Sequence, residues 1–158
     1  GLGGITGKIT SAPAAHLSVL CNQMVNFLGI MQNEWAGAQA FSSFDTYLAP
    51  FVKIDNLSYD QTKQCIQSFV YGVNTPSRWG TQAPFTNITL DWTVPADLAN
   101  VPCIVGGVEQ DFTYGDCKKE MDMVNRAFIE IMISASSLSS MSILILLSGA
   151  NPGNTLEA

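Results

Sequence analysis

From Leu17 onward, apolar side chains recur at steps of three and four: Leu17, Leu20, Cys21, Met24, Phe27, Leu28 and Met31. That spacing collects them on one helical face. It predicts a long first helix after Ser11-Ala-Pro13, weakening near Glu34-Trp35-Ala-Gly37. A second helix is expected from Phe41 or Ser42 to Pro50, because a residue that precedes proline avoids helical geometry. Asp55-Asn56-Leu57 reads as a turn. Ser58-Tyr-Asp-Gln61 has the form of a capping box, in which the Ser hydroxyl and the Gln side chain satisfy free amides at a helix start. The helix it opens places Tyr59, Ile66, Phe69, Val70 and Val73 on one stripe and should stop before Thr75-Pro76. The period then changes to two. Phe85, Asn87, Thr89 and Asp91 alternate with Thr86, Ile88, Leu90 and Trp92, the signature of a strand. Its Asn87/Thr89/Asp91 face suits a strand that lines a wet pocket.

Val94 to Thr113 reads as a connection broken by Pro95, Pro102 and Gly106-Gly107. A last helix is expected from about Asp116 to Ile133, burying Met121, Val124, Phe128, Ile131 and Met132. From Ser134 the character changes, with six serines between Ser134 and Ser142 and Glu157 as the only charge after Glu130. No structure is expected in that serine-rich tail, 135–158, which stands apart from the main region, 1–134. At the other end, Gly1-Leu-Gly3-Gly4-Ile-Thr-Gly7 departs from the dinucleotide pattern at Thr6 and follows no strand, so a flexible lead-in is expected. The fold class is α/β and mostly helical.

Composition adjusts this picture in three ways. The 158 residues suit one domain, and 13% charged against 47% hydrophobic is lean in charge, so part of the surface is expected to be covered. A net charge of −6 argues against a nucleic-acid partner, which needs a basic patch. Cys21, Cys65, Cys103 and Cys117 form no CxxC pair, and no signal-peptide pattern is present. A reduced, cytoplasmic setting is therefore expected, with Asn56-Leu-Ser58 and Asn87-Ile-Thr89 as chance sequons. Ile143 to Leu147 falls far short of the ~20 apolar residues that cross a bilayer, so no membrane partner is expected.

Candidate chemistry is sparse. His16 is the sole histidine and has no carboxylate at helical spacing, so it reads as solvated or partner-facing. Glu34 and Asp45 flank a glycine on separate helices and read as surface or capping groups. Trp35, Trp79 and Trp92 lie on different elements and are expected to anchor packing. No His, Cys, Asp or Glu cluster has metal-ligand spacing. Arg78, at a helix exit before the polar strand, has two open readings: a bidentate phosphate clamp, or a partner for the last carbonyls of its helix.

Asn-Thr-Pro-Ser-Arg-Trp-Gly-Thr-Gln-Ala-Pro-Phe-Thr-Asn-Ile-Thr-Leu-Asp-Trp, from Asn74 to Trp92, adds a second kind of information. Together with Gln-Asn-Glu-Trp-Ala-Gly-Ala-Gln-Ala-Phe-Ser-Ser-Phe-Asp, from Gln32 to Asp45, it resembles the nucleotide-reducing domain of the anaerobic ribonucleoside-triphosphate reductases, the oxygen-sensitive glycyl radical class. The resemblance runs from about Gly1 to Ser134. It implies part of a ten-stranded α/β barrel made of two parallel five-stranded halves, incomplete here. It implies deoxyribonucleotide synthesis by radical chemistry: nucleoside triphosphates as substrates, with ATP and deoxynucleotide effectors. For the full-length family it also implies zinc, a glycyl radical, and an activase using S-adenosylmethionine and an iron–sulfur cluster. Helices like 11–31 and 58–74 resemble those that meet a second subunit. The Thr81-Gln82-Ala83-Pro84-Phe85-Thr86 segment resembles the barrel strand beside the nucleotide pocket, and Arg78, Thr81, Gln82, Thr86 and Asn87 are the candidate binding residues.

No catalytic role carries over. The family's reactive cysteines, zinc module and radical glycine are expected upstream of a segment like Gly1–Gly7 or beyond one like Ser134. None of the four cysteines here sits in a matching context, and no cofactor is expected on these residues. The chain is thus expected to represent roughly a quarter of a reductase, truncated or frame-shifted, and inactive alone. The alternative is a non-catalytic helical dimerisation or nucleotide-binding module.

Overall fold

The computed structural model describes residues 12–35, 37–75, 85–135 and 143–147. Helix α1 (Leu17–Glu34) buries Leu17, Cys21, Met24 and Leu28 from the expected stripe, whereas Phe27 stays 46% exposed. It ends at Trp35, whose backbone turns extended while its N–H still bonds Met31 O. A short strand, β1 (Gln39–Phe41), follows where the sequence pattern pointed to the start of a helix. Three residues carry too little periodicity to register as a strand.

Helix α2 (Phe44–Ile54) starts later than expected and runs through Pro50. The proline forgoes one backbone hydrogen bond, yet it is buried together with Phe44, Leu48, Ala49, Phe51 and Val52. Packing of that nearly all-apolar helix outweighs the local preference. Helix α3 (Tyr59–Asn74) opens on the expected capping box: Gln61 N donates to Ser58 Oγ at 3.3 Å, and Ser58 N donates to Gln61 Oε1 at 3.0 Å. It stops before Thr75, which has extended geometry.

Strand β2 (Thr86–Leu90) is the centre of a three-stranded parallel sheet, paired with β1 on one side and with β5 (Ile143–Leu147) on the other. β5 lies within the tail from which no structure was expected, and it pairs along the whole of β2. An all-apolar run of five residues is short for a helix and of ordinary length for a strand. Among the described residues this sheet is open. Three strands cannot close a barrel, so the barrel architecture is not seen there.

The expected connection from Val94 to Thr113 contains a hairpin, β3 (Pro102–Val105) and β4 (Val108–Thr113). Gly106 and Gly107, at φ +64° and +77°, form its tip. Two positive φ values in a two-residue loop match the twist of antiparallel strands and favour glycine. A 3-10 turn (Tyr114–Cys117) leads into α4 (Lys118–Ala135), which buries Met121, Val124, Phe128 and Ile131 as the spacing predicts.

The main core lies between the sheet and the helices. Phe44 meets Phe69 and Phe128 at ring-centroid distances of 5.4 and 5.6 Å, and Ile66, Ile88, Leu90 and Val124 close around them. A smaller core under the hairpin gathers Ala49, Cys103, Tyr114, Cys117 and Met121. The expected lead-in at Gly1–Thr10 lies outside the described residues, as does the tail apart from Ala135 and β5.

Candidate functional site

Two faces meet at β2. Thr86, Ile88 and Leu90 point into the core and are fully buried, whereas Asn87 and Thr89 lie on the opposite face with partial exposure. The candidate residues Thr86 and Asn87 are therefore on opposite sides of the strand, as period two requires. The Asn87 Oδ1 atom is enclosed and has no hydrogen-bond partner among the described residues. A buried amide oxygen left unpaired is costly, typically about 1–3 kcal/mol. Arg78, Thr81 and Gln82, and Trp79 with them, lie outside the described residues.

The C-terminal end of β2 is held by a side chain that sequence reasoning placed at the surface or in a cap. Asp45, in the first turn of α2, is wholly buried. Its Oδ1 accepts from Thr46 N at 3.0 Å and from Asp91 N at 2.9 Å. Its Oδ2 accepts from Trp92 N at 2.8 Å and from Asn125 Nδ2 of α4 at 2.9 Å. Thr46 Oγ1 completes the group by donating to Asp91 Oδ2 at 2.7 Å. A buried carboxylate is tolerable only with such a set of donors. One side chain thus ties α2, the exit of β2, and α4 together.

That exit is strained. Trp92 has φ +66°, a left-handed conformation rare for a bulky aromatic residue. Thr93 N donates to Asp91 O at 2.7 Å across it, which makes a tight three-residue γ-turn. Lys118 Nζ caps the turn by binding Trp92 O at 2.8 Å. The surrounding bonds over-determine this geometry, which is the usual condition for strain to persist. Trp92 is 48% exposed and Trp35 65%, so neither anchors packing as expected.

The remaining titratable groups serve the scaffold. His16 precedes α1 and pairs with Asp55 at 2.9 Å on the surface. Glu130 on α4 accepts from Lys63 at 2.9 Å and from Arg126 at 3.0 Å, and these cations hold its carboxyl down at about 2. Burial pushes the Cys21 and Cys103 thiols up to about 12, away from nucleophilic use. Among the described residues no three His, Cys, Asp or Glu side chains gather as metal ligands would. No helix of the described residues is long and apolar enough to cross a membrane.

Asp45 left a faint trace in the sequence. It sits in the largely apolar run of α2, and Asn125 adjoins Val124 in the apolar stripe of α4. Polar residues inside two buried stripes can be read as partners, although nothing in the spacing pairs 45 with 125.

Comparison with known proteins agrees with this geometry. No curated protein sequence matches the chain. A crystal structure of the anaerobic ribonucleotide reductase from Thermotoga maritima in complex with dATP and CTP is similar at 25% identity and a TM-score of 0.59, over 84% of this chain and 23% of that one. The same enzyme with dATP bound in the specificity site matches at 25% identity and 0.59, over 80% and 22%. A further form with citrate in the active site matches at 21% and 0.60, over 84% and 24%. The chain therefore spans about a quarter of the length of these solved relatives. The sequence profile described as anaerobic ribonucleoside-triphosphate reductase covers residues 1–142, past the expected boundary at Ser134. With nine-tenths of its length inside that profile, the chain belongs to the anaerobic ribonucleoside-triphosphate reductase family.

Proposed function

We propose that this chain supplies one wall of the nucleotide pocket in a cytoplasmic reductase that converts ribonucleoside triphosphates to deoxyribonucleoside triphosphates. In this reading the radical glycine, the reactive cysteines, zinc and the activase belong to other parts of such an enzyme, and these residues alone do not turn over substrate. Asn87 carries the reading. Its Oδ1, without a partner among the described residues, lies on the face of the central strand turned away from the core. A nucleotide donor would satisfy that oxygen. Arg78, Thr81 and Gln82, which precede the strand, are proposed to complete the wall, with Thr86 packed behind it. In the Thermotoga enzyme dATP and CTP are the bound nucleotides. These are the first ligands to try.

Calorimetric titration with dATP and CTP should give a dissociation constant of roughly 0.1–1 mM for the isolated chain. Asn87→Ala and Arg78→Ala should each weaken it by about tenfold. No heat at millimolar nucleotide would overturn the proposal.

A second reading is favoured by a separate observation. Val19, Phe27 and Ile30 are exposed on one side of α1 at 42%, 46% and 56%, interspersed with Gln23 and Asn26, and Tyr71 on α3 is 72% exposed. Such a surface fits a homodimer formed through helices 11–31 and 58–74, as a non-catalytic module or as the allosteric interface of the longer enzyme.

A further inference from the structure

The smaller core beneath the hairpin holds two thiols that the proposed function does not use. Cys103 on β3 and Cys117 in the 3-10 turn are 0% and 1% exposed, and their Sγ atoms lie 4.0 Å apart. The two elements are held side by side, with Tyr114 N donating to Val101 O and Gly115 N to Ala99 O, both at 3.1 Å. Gly115 permits this approach, since a Cβ there would come within 2.7 Å of Ala99 O.

Each sulfur would need to move by only about 1 Å to reach the ~2.05 Å disulfide bond. The surroundings can yield by that much. The β3–β4 register breaks between Pro102 and Ile104, so regular ladder pairing does not clamp the backbone at Cys103. Cys117 donates only weakly, to Thr113 O at 3.6 Å.

We propose that Cys103 and Cys117 form a two-electron redox latch that peroxide closes and a dithiol reopens. Peroxide oxidises one thiol to a sulfenic acid and is reduced to water. The second thiol then attacks that sulfur and expels a second water. Two thiols and one hydrogen peroxide thus become one disulfide and two waters. The bond staples β3 to the foot of α4, the helix whose Asn125 helps to hold the strained end of β2. Burial keeps both thiols protonated, so closure is slow and favours a small oxidant admitted by local opening over a bulky disulfide.

The test exposes the 158-residue chain to hydrogen peroxide, alkylates the remaining thiols in denaturant, and maps the products by mass spectrometry. The expected product joins the Cys103 and Cys117 peptides with the loss of two hydrogens and is reversed by dithiothreitol. Amide exchange in β3 and β4 should then slow by roughly tenfold to a hundredfold. Cys103→Ser and Cys117→Ala should each abolish the link. The wild-type map stands even if either variant folds poorly. The same treatment in urea should scatter the links among all four cysteines. Recovery of Cys103 and Cys117 as alkylated thiols, or an equally scattered pattern in the folded chain, would overturn the latch.

Discussion

Asp45 accepts four hydrogen bonds while wholly excluded from water, and three of its donors come from residues far along the chain. Asp45→Ala should strand the Asp91 and Trp92 amides and the Asn125 side chain together, with a loss of about 3 kcal/mol or more. Asp45→Asn keeps the shape but replaces one acceptor by a donor, and should fall between the two. Urea unfolding followed by tryptophan fluorescence reads the difference. A loss below about 1 kcal/mol for the alanine variant would show that the hub is dispensable. This hub was not legible in advance. Asp91 reads as part of the polar strand face, but a hydrogen-bonded group spanning three elements leaves no periodic trace, and nothing in the sequence joins it to Asp45 or Asn125. Ser43 and Asn56, with φ +52° and +45°, are equally silent in sequence.

Helices α1, α3 and α4 follow from their apolar periods, because a face that packs must repeat every three to four residues. The capping box at Ser58 was legible for a related reason, since its two partners are local. β1 and the β3–β4 hairpin were missed. β1 has three residues and β3 four, short of the usual five or six, and Pro102 and the glycines read as breakers until Gly106-Gly107 is seen as a turn. The α3–α4 contact permits a pH test. Glu130 sits between Lys63 and Arg126, and its folded value of about 2 lies below the usual carboxylate value of about 4.3. A depressed carboxylate stabilises the fold above its unfolded value and loses that contribution as the pH falls toward its folded one. The thermal midpoint should therefore drop between about pH 4.5 and pH 2. Glu130→Gln should flatten that limb, and an unchanged slope would refute the assignment.

The described residues combine a helical layer with an open parallel sheet, and leave Val19, Phe27 and Ile30 of α1 in water. A salt-resistant homodimer is the expected outcome, measured by size exclusion with light scattering. Phe27→Glu with Ile30→Glu should release monomers, whereas a wild-type monomer or heterogeneous aggregates would count against the interface. Family membership was legible from Gln32–Asp45 and Asn74–Trp92, while the open sheet and β5 were not, because strand pairing joins segments that sequence keeps apart. The same separation governs when the fold can form. Asp45 reaches Asn125 across 80 residues, so on a ribosome its carboxylate stays hydrated until the last of its donors emerges. At usual elongation speeds that interval is roughly 4–16 s. During it the end of β2 has no template for its left-handed turn, and helices α1 to α3 must remain soluble with the sheet unfinished. The nascent chain is exposed to misassembly in that interval, and the arrival of Asn125 completes the hub before β5 completes the sheet.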